Sequence, residues 1–190
     1  MNLSPKNIEK VIHILKNGGI GIMPTDTIYG LVGSALRPKT LERIYKVRRR
    51  KPTKPAIILV GNFDDLKLFG ITPALKVKKL LKKYWPGKVS IILPCPSKKF
   101  SYLHRGAKSL AFRLPKKKSL RNLLHKTGPL VAPSANYEGL PPARNIKEAS
   151  SYFGGSVDFY LNGGKIISKP SVLIAVKNGK EIILRGKLAK

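Results

Sequence analysis

Short apolar segments that end near glycine or proline alternate along this chain with segments of helical period. Between residues 8 and 15 the apolar side chains recur at i, i+3, i+4 and i+7, which is the stripe of an amphipathic helix. Helical periodicity and helix-end residues predict further helices over 38–48, 74–84, 120–126 and 145–153. Short apolar runs predict strands over 20–24, 56–60, 89–93, 110–114, 130–132, 172–176 and 181–184. Asn178-Gly179 predicts a hairpin turn between the last two strands. We therefore expect an α/β fold: a single domain over residues 1–190 with a twisted mixed sheet and flanking helices.

The composition excludes several classes of protein. The 190 residues contain one cysteine, Cys95, which rules out an internal disulfide framework and a cysteine-rich zinc site. The aliphatic run at 56–60 is far too short to cross a bilayer. The first residues lack the apolar core of a signal peptide. We expect a cytoplasmic protein that does not bind membranes.

Positive charge dominates the chain. It has 38 Lys and Arg residues against 9 Asp and Glu residues, so the formal net charge is +29 at pH 7. So few carboxylates disfavour two-carboxylate hydrolysis and carboxylate-rich metal sites, and we expect no protein-held metal. The excess of cations favours a phosphate-bearing partner, either a nucleotide or RNA. Lysine accumulated on a solvated surface, with no specific partner, is the alternative.

The first candidate site segment follows the strand at 20–24. Residues 24–31 read PTDTIYGL. Small hydroxylated residues at a strand end lie where α/β folds bind ligands. The same residues could instead only close a turn through local hydrogen bonds, and the spacing alone favours that simpler interpretation.

The second candidate segment is cationic. Six of the nine residues from 46 to 54 are Lys or Arg. The dipole at a helix C-terminus stabilises only a few such charges. The others indicate an anion, such as a triphosphate or an RNA backbone.

Isolated polar residues mark two further segments. Ser134 and Asn136 follow the strand at 130–132, where a loop can offer hydroxyl, amide and backbone N–H groups to phosphate or carboxylate; a capped loop is the alternative. Arg113 lies in an apolar strand, so we expect it at the sheet edge or against an anionic ligand. The chain has no Walker A loop and no dinucleotide fingerprint, so an ATP site would be non-standard.

These segments can be aligned with a series of known motifs. P-T-[DE]-T-x-Y-G-L is matched at 24–31, a K-x-R-x-x-x-N-P-like segment at 48–55, W-P-G at 85–87, A-x-R-x-P at 111–115, S-A-N at 134–136 and a P-S-T-like segment at 170–172. In order and spacing they resemble the YrdC-like family, specifically its threonylcarbamoyl-AMP synthases. Because the chain ends near Arg185, it resembles the short, single-domain form.

The resemblance implies a reaction. L-Threonine, bicarbonate and ATP would give threonylcarbamoyl-AMP and pyrophosphate, and the product would serve the modification of an adenosine in transfer RNA. Mg²⁺ would accompany ATP, and transfer RNA and other tRNA-modification proteins would be partners. By analogy, threonine would be held by Thr27, Arg113, Ala132 and Ser171, and ATP by Arg48, Arg50, Lys54, Ser109, Ser134, Asn136 and Arg185. The resemblance assigns no acid or base.

Five positions depart from the family pattern. They are Arg48 in place of Lys, Lys54 in place of Asn, Leu59 in place of a His near the threonine, Pro142 in place of a Ser and Val172 in place of Thr. Two alternatives therefore stay open. One is a non-catalytic RNA-binding module, and the other is a paralogue of the family with another carbamate or acyl acceptor.

Overall fold

Helices and strands are interleaved along the chain, as the periodicity predicts. The computed structural model describes residues 5–49, 51, 56–177 and 180–188. Its helices are α1 (Pro5–Lys16), α2 (Pro38–Val47), α3 (Leu75–Tyr84), α4 (Ser101–His104), α5 (Lys118–Thr127) and α6 (Ile146–Phe153). Its strands are β1 (Ile20–Pro24), β2 (Tyr29–Ser34), β3 (Ile57–Leu59), β4 (Val89–Pro94), β5 (Ser109–Arg113), β6 (Leu130–Val131), β7 (Phe159–Tyr160), β8 (Val172–Lys177) and β9 (Lys180–Arg185).

The strands of the described residues join in one sheet. Their order is β7-β1-β2-β6-β3-β5-β4-β8-β9. The neighbours β1/β2, β2/β6, β3/β6, β4/β5 and β8/β9 are antiparallel, whereas β1/β7, β3/β5 and β4/β8 are parallel. The predicted fold class, a mixed sheet with flanking helices, is confirmed. The predicted turn at Asn178-Gly179 lies outside the described residues, and the two strands on either side of it pair antiparallel as expected.

Two strands were not predicted. β2 reads YGLVGS, and its two glycines after the PTDT motif favour a loop over a strand. Packing explains the glycine at position 33. A Cβ there would lie 2.5 Å from Cγ2 of Thr40, so glycine allows α2 to approach the strand closely. β7 has only two residues, too few for alternation to be recognised.

Helices cover the two faces of the sheet unequally. On one face α1 and α5 pack over β1, β2 and β3, where Leu15, Leu59 and Leu124 are buried together. The opposite face carries a larger cluster, in which the rings of Phe69 and Phe112 have centroids 5.0 Å apart. The cluster under α1 and α5 contains no described residue of β4, β5 or β8. Half of that first face is therefore left open.

None of the described helices combines the length and the apolar character that a bilayer span requires.

Candidate functional site

The open half of the sheet carries a pocket of about 340 Å³, and ligand sites have volumes from about 300 to 1,000 Å³. Its floor is a row of apolar side chains from three neighbouring strands. Ala111 of β5 pairs with Ile57 of β3 on one side and with Ile92 of β4 on the other, and all three residues line the pocket. Ser109 and Arg113 lie two residues to either side of Ala111, and residues so spaced on a strand share a face. One face of β5 thus brings a hydroxyl and a guanidinium into the pocket.

The PTDT segment forms the next wall. The Thr25 hydroxyl oxygen accepts hydrogen bonds from the backbone N–H groups of Thr27 (3.2 Å) and Ile28 (3.3 Å), and the hydroxyl donates to the Ile28 carbonyl (2.7 Å). This turn fixes Thr27, whose hydroxyl oxygen lies 3.0 Å from that of Thr25. Both interpretations of the segment apply, since Thr25 closes the turn and buried Thr27 lines the pocket.

Ser134 is brought beside this wall by an extension of the sheet. The N–H of Leu31 donates to the Pro133 carbonyl and the N–H of Ala135 to the Tyr29 carbonyl, both at 2.9 Å. An antiparallel bridge pairs Gly30 with Ser134 between them. Two motifs that are far apart in the sequence therefore form one continuous surface.

Arg48 reaches this surface from the C-terminal end of α2. It is buried, its Nε donates to the Asn136 carbonyl (3.1 Å), and its Nη2 donates to Ser134 Oγ (3.2 Å) and Asn136 Oδ1 (3.3 Å). Asn136 Nδ2 donates to the carbonyls of Tyr137 (2.6 Å) and Leu140 (2.7 Å). Asn136 does not line the pocket itself, and its side-chain amide contacts Arg48 and its own loop.

Arg113 is neither at a sheet edge nor without a protein partner. Its strand β5 lies between β3 and β4. Its Nη1 donates to Oδ1 of Asp26, and the two side chains are only 4% and 5% exposed. Burial lowers the pKa of Arg113, and the adjacent Asp26 carboxylate opposes that shift. The chain itself thus supplies the anion that the sequence led us to expect from a ligand alone.

Arg185 closes the pocket from β9. Its Nε and Nη2 donate to the Ser171 carbonyl (3.2 and 3.1 Å), and Nη2 also lies 3.3 Å from Ser171 Oγ. The Ser171 hydroxyl oxygen in turn lies 2.9 Å from that of Ser90, which is fully buried on β4. Burial lowers the pKa of Arg185, and the nearby charge of Arg113 lowers it further. The side chains of Arg113 and Arg185 both line this pocket.

Most of the predicted site residues meet in this pocket. Those that line it are Thr27, Arg48, Ser109, Arg113, Ala132, Ser134, Ser171 and Arg185. Arg50 and Lys54 lie outside the described residues, so their contacts with ATP stay predictions. None of the described residues in the wall is acidic. The described wall combines guanidinium and hydroxyl groups and suits anions.

The described residues of the basic segment at 46–54 make different contacts. Arg48 lines the pocket, whereas the guanidinium of Arg49 lies 4.2 Å from the centroid of the Tyr137 ring, a cation–π contact. The backbone N–H of Lys51 donates to a carboxylate oxygen of Glu138 (2.6 Å). The anion expected for the surplus charge of this segment stays a prediction, because Arg50 and Lys54 lie outside the described residues.

A second cavity of about 830 Å³ adjoins the pocket and shares Ile28 and Pro170 with it. Pro142, one of the departures from the family pattern, lies in the wall of this second cavity. Leu59 is buried in the cluster under α5, and Val172 begins β8; neither lines the first pocket. Two of the three departures named here therefore lie outside both cavity walls.

The fold and the motifs agree with a family of known proteins. Residues 13–186 match the model of the Sua5, YciO and YrdC family, which carries the description telomere recombination. The chain belongs to this family. A Methanocaldococcus jannaschii protein named putative threonylcarbamoyl-AMP synthase is 32% identical over 189 residues, which are 96% of this chain and 88% of that protein.

Longer relatives match as well. Threonylcarbamoyl-AMP synthase from Bacillus subtilis is 27% identical over 189 residues, which are 97% of this chain and 54% of the relative. The crystal structure of Pyrococcus abyssi Sua5 complexed with L-threonine superposes with a TM-score of 0.89 at 26% identity, over 97% of this chain and 55% of that one. The chain thus spans about half the length of these two relatives.

Sequence reasoning missed two residues that support the site. Asp26 was noted only as a motif position, although a carboxylate at a strand end is the natural partner for a buried guanidinium elsewhere in the sheet. Ser90 lies in an apolar strand as a single hydroxyl, the same signal that drew attention to Arg113. The Asp26–Arg113 and Ser90–Ser171 contacts do not follow from sequence spacing, because the two residues of each pair come from different strands or loops.

Proposed function

We propose that this protein synthesises threonylcarbamoyl-AMP and pyrophosphate from L-threonine, bicarbonate and ATP. The observation that carries the proposal is the meeting of Arg48, Arg113 and Arg185 with the hydroxyls of Thr27 and Ser134 in one pocket. The names of the relatives support it, as does the P. abyssi Sua5 structure, which is a complex with L-threonine. The product would serve the modification of an adenosine in transfer RNA.

We place the amino acid at the β5 end of the pocket. Arg113 would pair with its carboxylate, since guanidinium and carboxylate match in charge and planar geometry. Thr27 and Ser171 offer hydroxyls on the same wall, and Ala132 also lines it. The small side chain of Ala111 on the floor leaves room for a short amino acid.

We place the phosphates against Arg48, Ser134, Arg185 and Ser109. Their cations and hydroxyls would neutralise charge that grows on the leaving pyrophosphate. Arg50 and Lys54 belong to the same proposed set from outside the described residues. The nucleoside end would extend into the second cavity, because the first holds about 340 Å³ and the two share a boundary at Ile28 and Pro170.

The chemistry requires orientation more than proton transfer. The threonine amine attacks the carbon of bicarbonate-derived CO₂ and loses a proton, which gives a carbamate. A carbamate oxygen then attacks the α-phosphorus of ATP, a P–O bond forms, and the bond to pyrophosphate breaks. Holding the two anions against each other in a cationic pocket lowers the entropic and electrostatic barriers to this step.

Magnesium belongs to the proposal as a companion of ATP. No three His, Cys, Asp or Glu side chains converge among the described residues, and the described wall offers hydroxyl rather than carboxylate oxygens. Such a wall fits an ion held mainly by phosphate oxygens and water, which is the common way in which proteins hold Mg²⁺ with nucleotides. The ion would supply charge neutralisation on the phosphates.

The proposal is tested by substrate dependence. We expect pyrophosphate release that requires ATP, threonine and bicarbonate together, and we expect Arg113→Ala to raise the KM for threonine about tenfold to a hundredfold, the effect of losing a charge-assisted hydrogen bond. The KM for ATP should change far less. Pyrophosphate release that does not depend on threonine would remove the proposal, and an unchanged threonine KM in Arg113→Ala would remove the amino-acid subsite.

A further inference from the structure

Asp26 lies within the PTDT motif but not in the pocket wall. Its neighbours Thr25, Thr27 and Ile28 line the pocket, whereas Asp26 does not. Its Oδ1 accepts a hydrogen bond from Nη1 of Arg113, and its Oδ2 accepts one from the backbone N–H of Lys116 (3.1 Å). The carboxylate therefore contacts Arg113 from behind the wall and ties it to the segment that follows β5.

The contact with Asp26 engages one nitrogen of the guanidinium. Asp26 accepts a hydrogen bond from Nη1 of Arg113, and Nε is buried without a hydrogen-bond partner among the described residues. A buried guanidinium that is poorly paired is destabilising, so the bond to Asp26 is the contact that holds this side chain in place. Arg113 still lines the pocket, where a guanidinium nitrogen can donate to a bound carboxylate.

Asp26 also opposes the repulsion between two cations of the pocket. Arg113 and Arg185 bring two positive charges that influence each other, and Asp26 brings one negative charge. Without Asp26 the two guanidinium groups would repel each other unopposed, and Arg113 would lose its hydrogen-bond partner on the PTDT segment.

We infer that Asp26 is a positioning residue for the amino-acid carboxylate: it fixes Arg113 from behind the wall so that the guanidinium is held where it lines the pocket. This inference rests on the proposed function, because it assumes an amino-acid carboxylate as the ligand. Asp26 takes no part in bond making. Its effect therefore falls on binding of the amino acid and not on binding of the nucleotide.

The test separates these effects by kinetics and by binding. For Asp26→Asn we expect the KM for threonine to rise about thirtyfold, with kcat and the KM for ATP within about threefold of wild type, because uniform binding is lost while transition-state contacts remain. Calorimetric titration of L-threonine into the enzyme without ATP should show the same loss of affinity. Asp26→Glu restores the charge with a displaced carboxylate, so we expect it to recover most of the loss and to stay about threefold to tenfold above wild type.

Matched controls decide between positioning and folding. Asp64→Asn removes an exposed carboxylate paired with Lys67 and should leave every constant unchanged. If Asp26→Asn binds threonine as wild type does, the inference is overturned. If Asp26→Asn does not fold, Asp26→Glu decides, since a wild-type threonine KM in the folded Glu variant would also overturn it. A wild-type enzyme that neither binds threonine nor releases pyrophosphate would instead remove the proposed function.

Discussion

Buried guanidinium groups define this site at the scale of single residues. Arg48 is held by the carbonyl and amide of Asn136, and Arg113 is held by the carboxylate of Asp26. A guanidinium stays charged when buried and is costly there unless it is paired. These pairings hold each charged group in place, and both side chains line the pocket.

Replacement of Arg48 by methionine should separate its charge from its bulk. Met fills a similar volume but removes the cation and the hydrogen bonds to Ser134 and Asn136. We expect Arg48→Met to raise the KM for ATP about tenfold, which corresponds to about 1.4 kcal/mol of lost binding, with a smaller effect on the KM for threonine. Steady-state kinetics with each substrate varied in turn provides the measurement.

Arg48→Lys is the matched control. It keeps the charge and restores the residue type of the family pattern, but it cannot reach both Asn136 and Ser134 with a planar fork. It should therefore retain most of the ATP affinity. An ATP KM in Arg48→Met equal to that of Arg48→Lys would show that the charge does not contribute.

At this scale the sequence predicts which residues carry charge into the site but not how each is held. Arg113 was singled out because a lone cation in an apolar strand needs a partner. Its partner Asp26 comes from the β1–β2 connection, and no local spacing reveals that contact. The side-chain amide of Asn136 holds Arg48 and its own loop, because a side chain in a tight loop can serve its own backbone. Its contact with ATP stays a prediction.

At the scale of elements, two strands of the site have polar residues at or next to their ends. β5 carries Ser109 and Arg113 at its two ends, and Ser171 directly precedes β8. The periodicity predicted these strands well, since a run of apolar residues bounded by turn residues is recognisable from sequence. β2 was missed because of its two glycines, of which Gly33 allows the close approach of α2, a contact that only the tertiary structure reveals.

Helix α6 borders the second cavity, and its first turn is capped by a side chain. Oδ1 of Asn145 accepts a hydrogen bond from the backbone N–H of Glu148 (2.9 Å), and Glu148 Oε1 accepts one from Asn145 Nδ2 (3.0 Å). We expect Asn145→Ala to lower the free energy of unfolding by about 1 kcal/mol, the usual effect of losing an N-cap. Urea denaturation of wild type and variant gives the value.

Asn145→Ser is the control for this prediction, because serine also caps helices and should retain most of the stability. A loss in Asn145→Ser as large as in Asn145→Ala would mean that the cap is not the cause. Glu148 and Tyr152 of α6 line the second cavity, where we place the nucleoside end of ATP. Fraying of the first turn of α6 should therefore weaken the binding of ATP more than the binding of threonine.

At the scale of the whole molecule, a sheet covered on one half by α1 and α5 leaves the other half for ligands. The site is therefore built into the open face of the sheet, and its floor at Ala111 is part of the same sheet that carries the core. The net charge of +29 exceeds what the pocket needs, because the described pocket wall contains only three of the 38 Lys and Arg residues. A surplus of positive charge favours association with a polyanion.

Transfer RNA is the natural polyanion to test. If the surplus charge contacts the RNA backbone, the logarithm of the association constant should fall linearly with the logarithm of salt, and about 6–10 contacts would lose about 10³–10⁵ in affinity between 50 and 200 mM. Fluorescence anisotropy at two salt concentrations measures this. No binding at low salt would leave the surplus as a solvated surface, and tight binding without any pyrophosphate release would favour a non-catalytic RNA-binding module.

The most direct test of the account is mass spectrometry of the nucleotide product formed from ATP, bicarbonate and L-threonine, with L-serine in place of threonine as the control amino acid. The account predicts an adenylate whose mass includes both the carbamoyl group and threonine, in larger amount than the serine analogue. A mixture that yields AMP or unchanged ATP, with no amino-acid-containing adenylate, would contradict it.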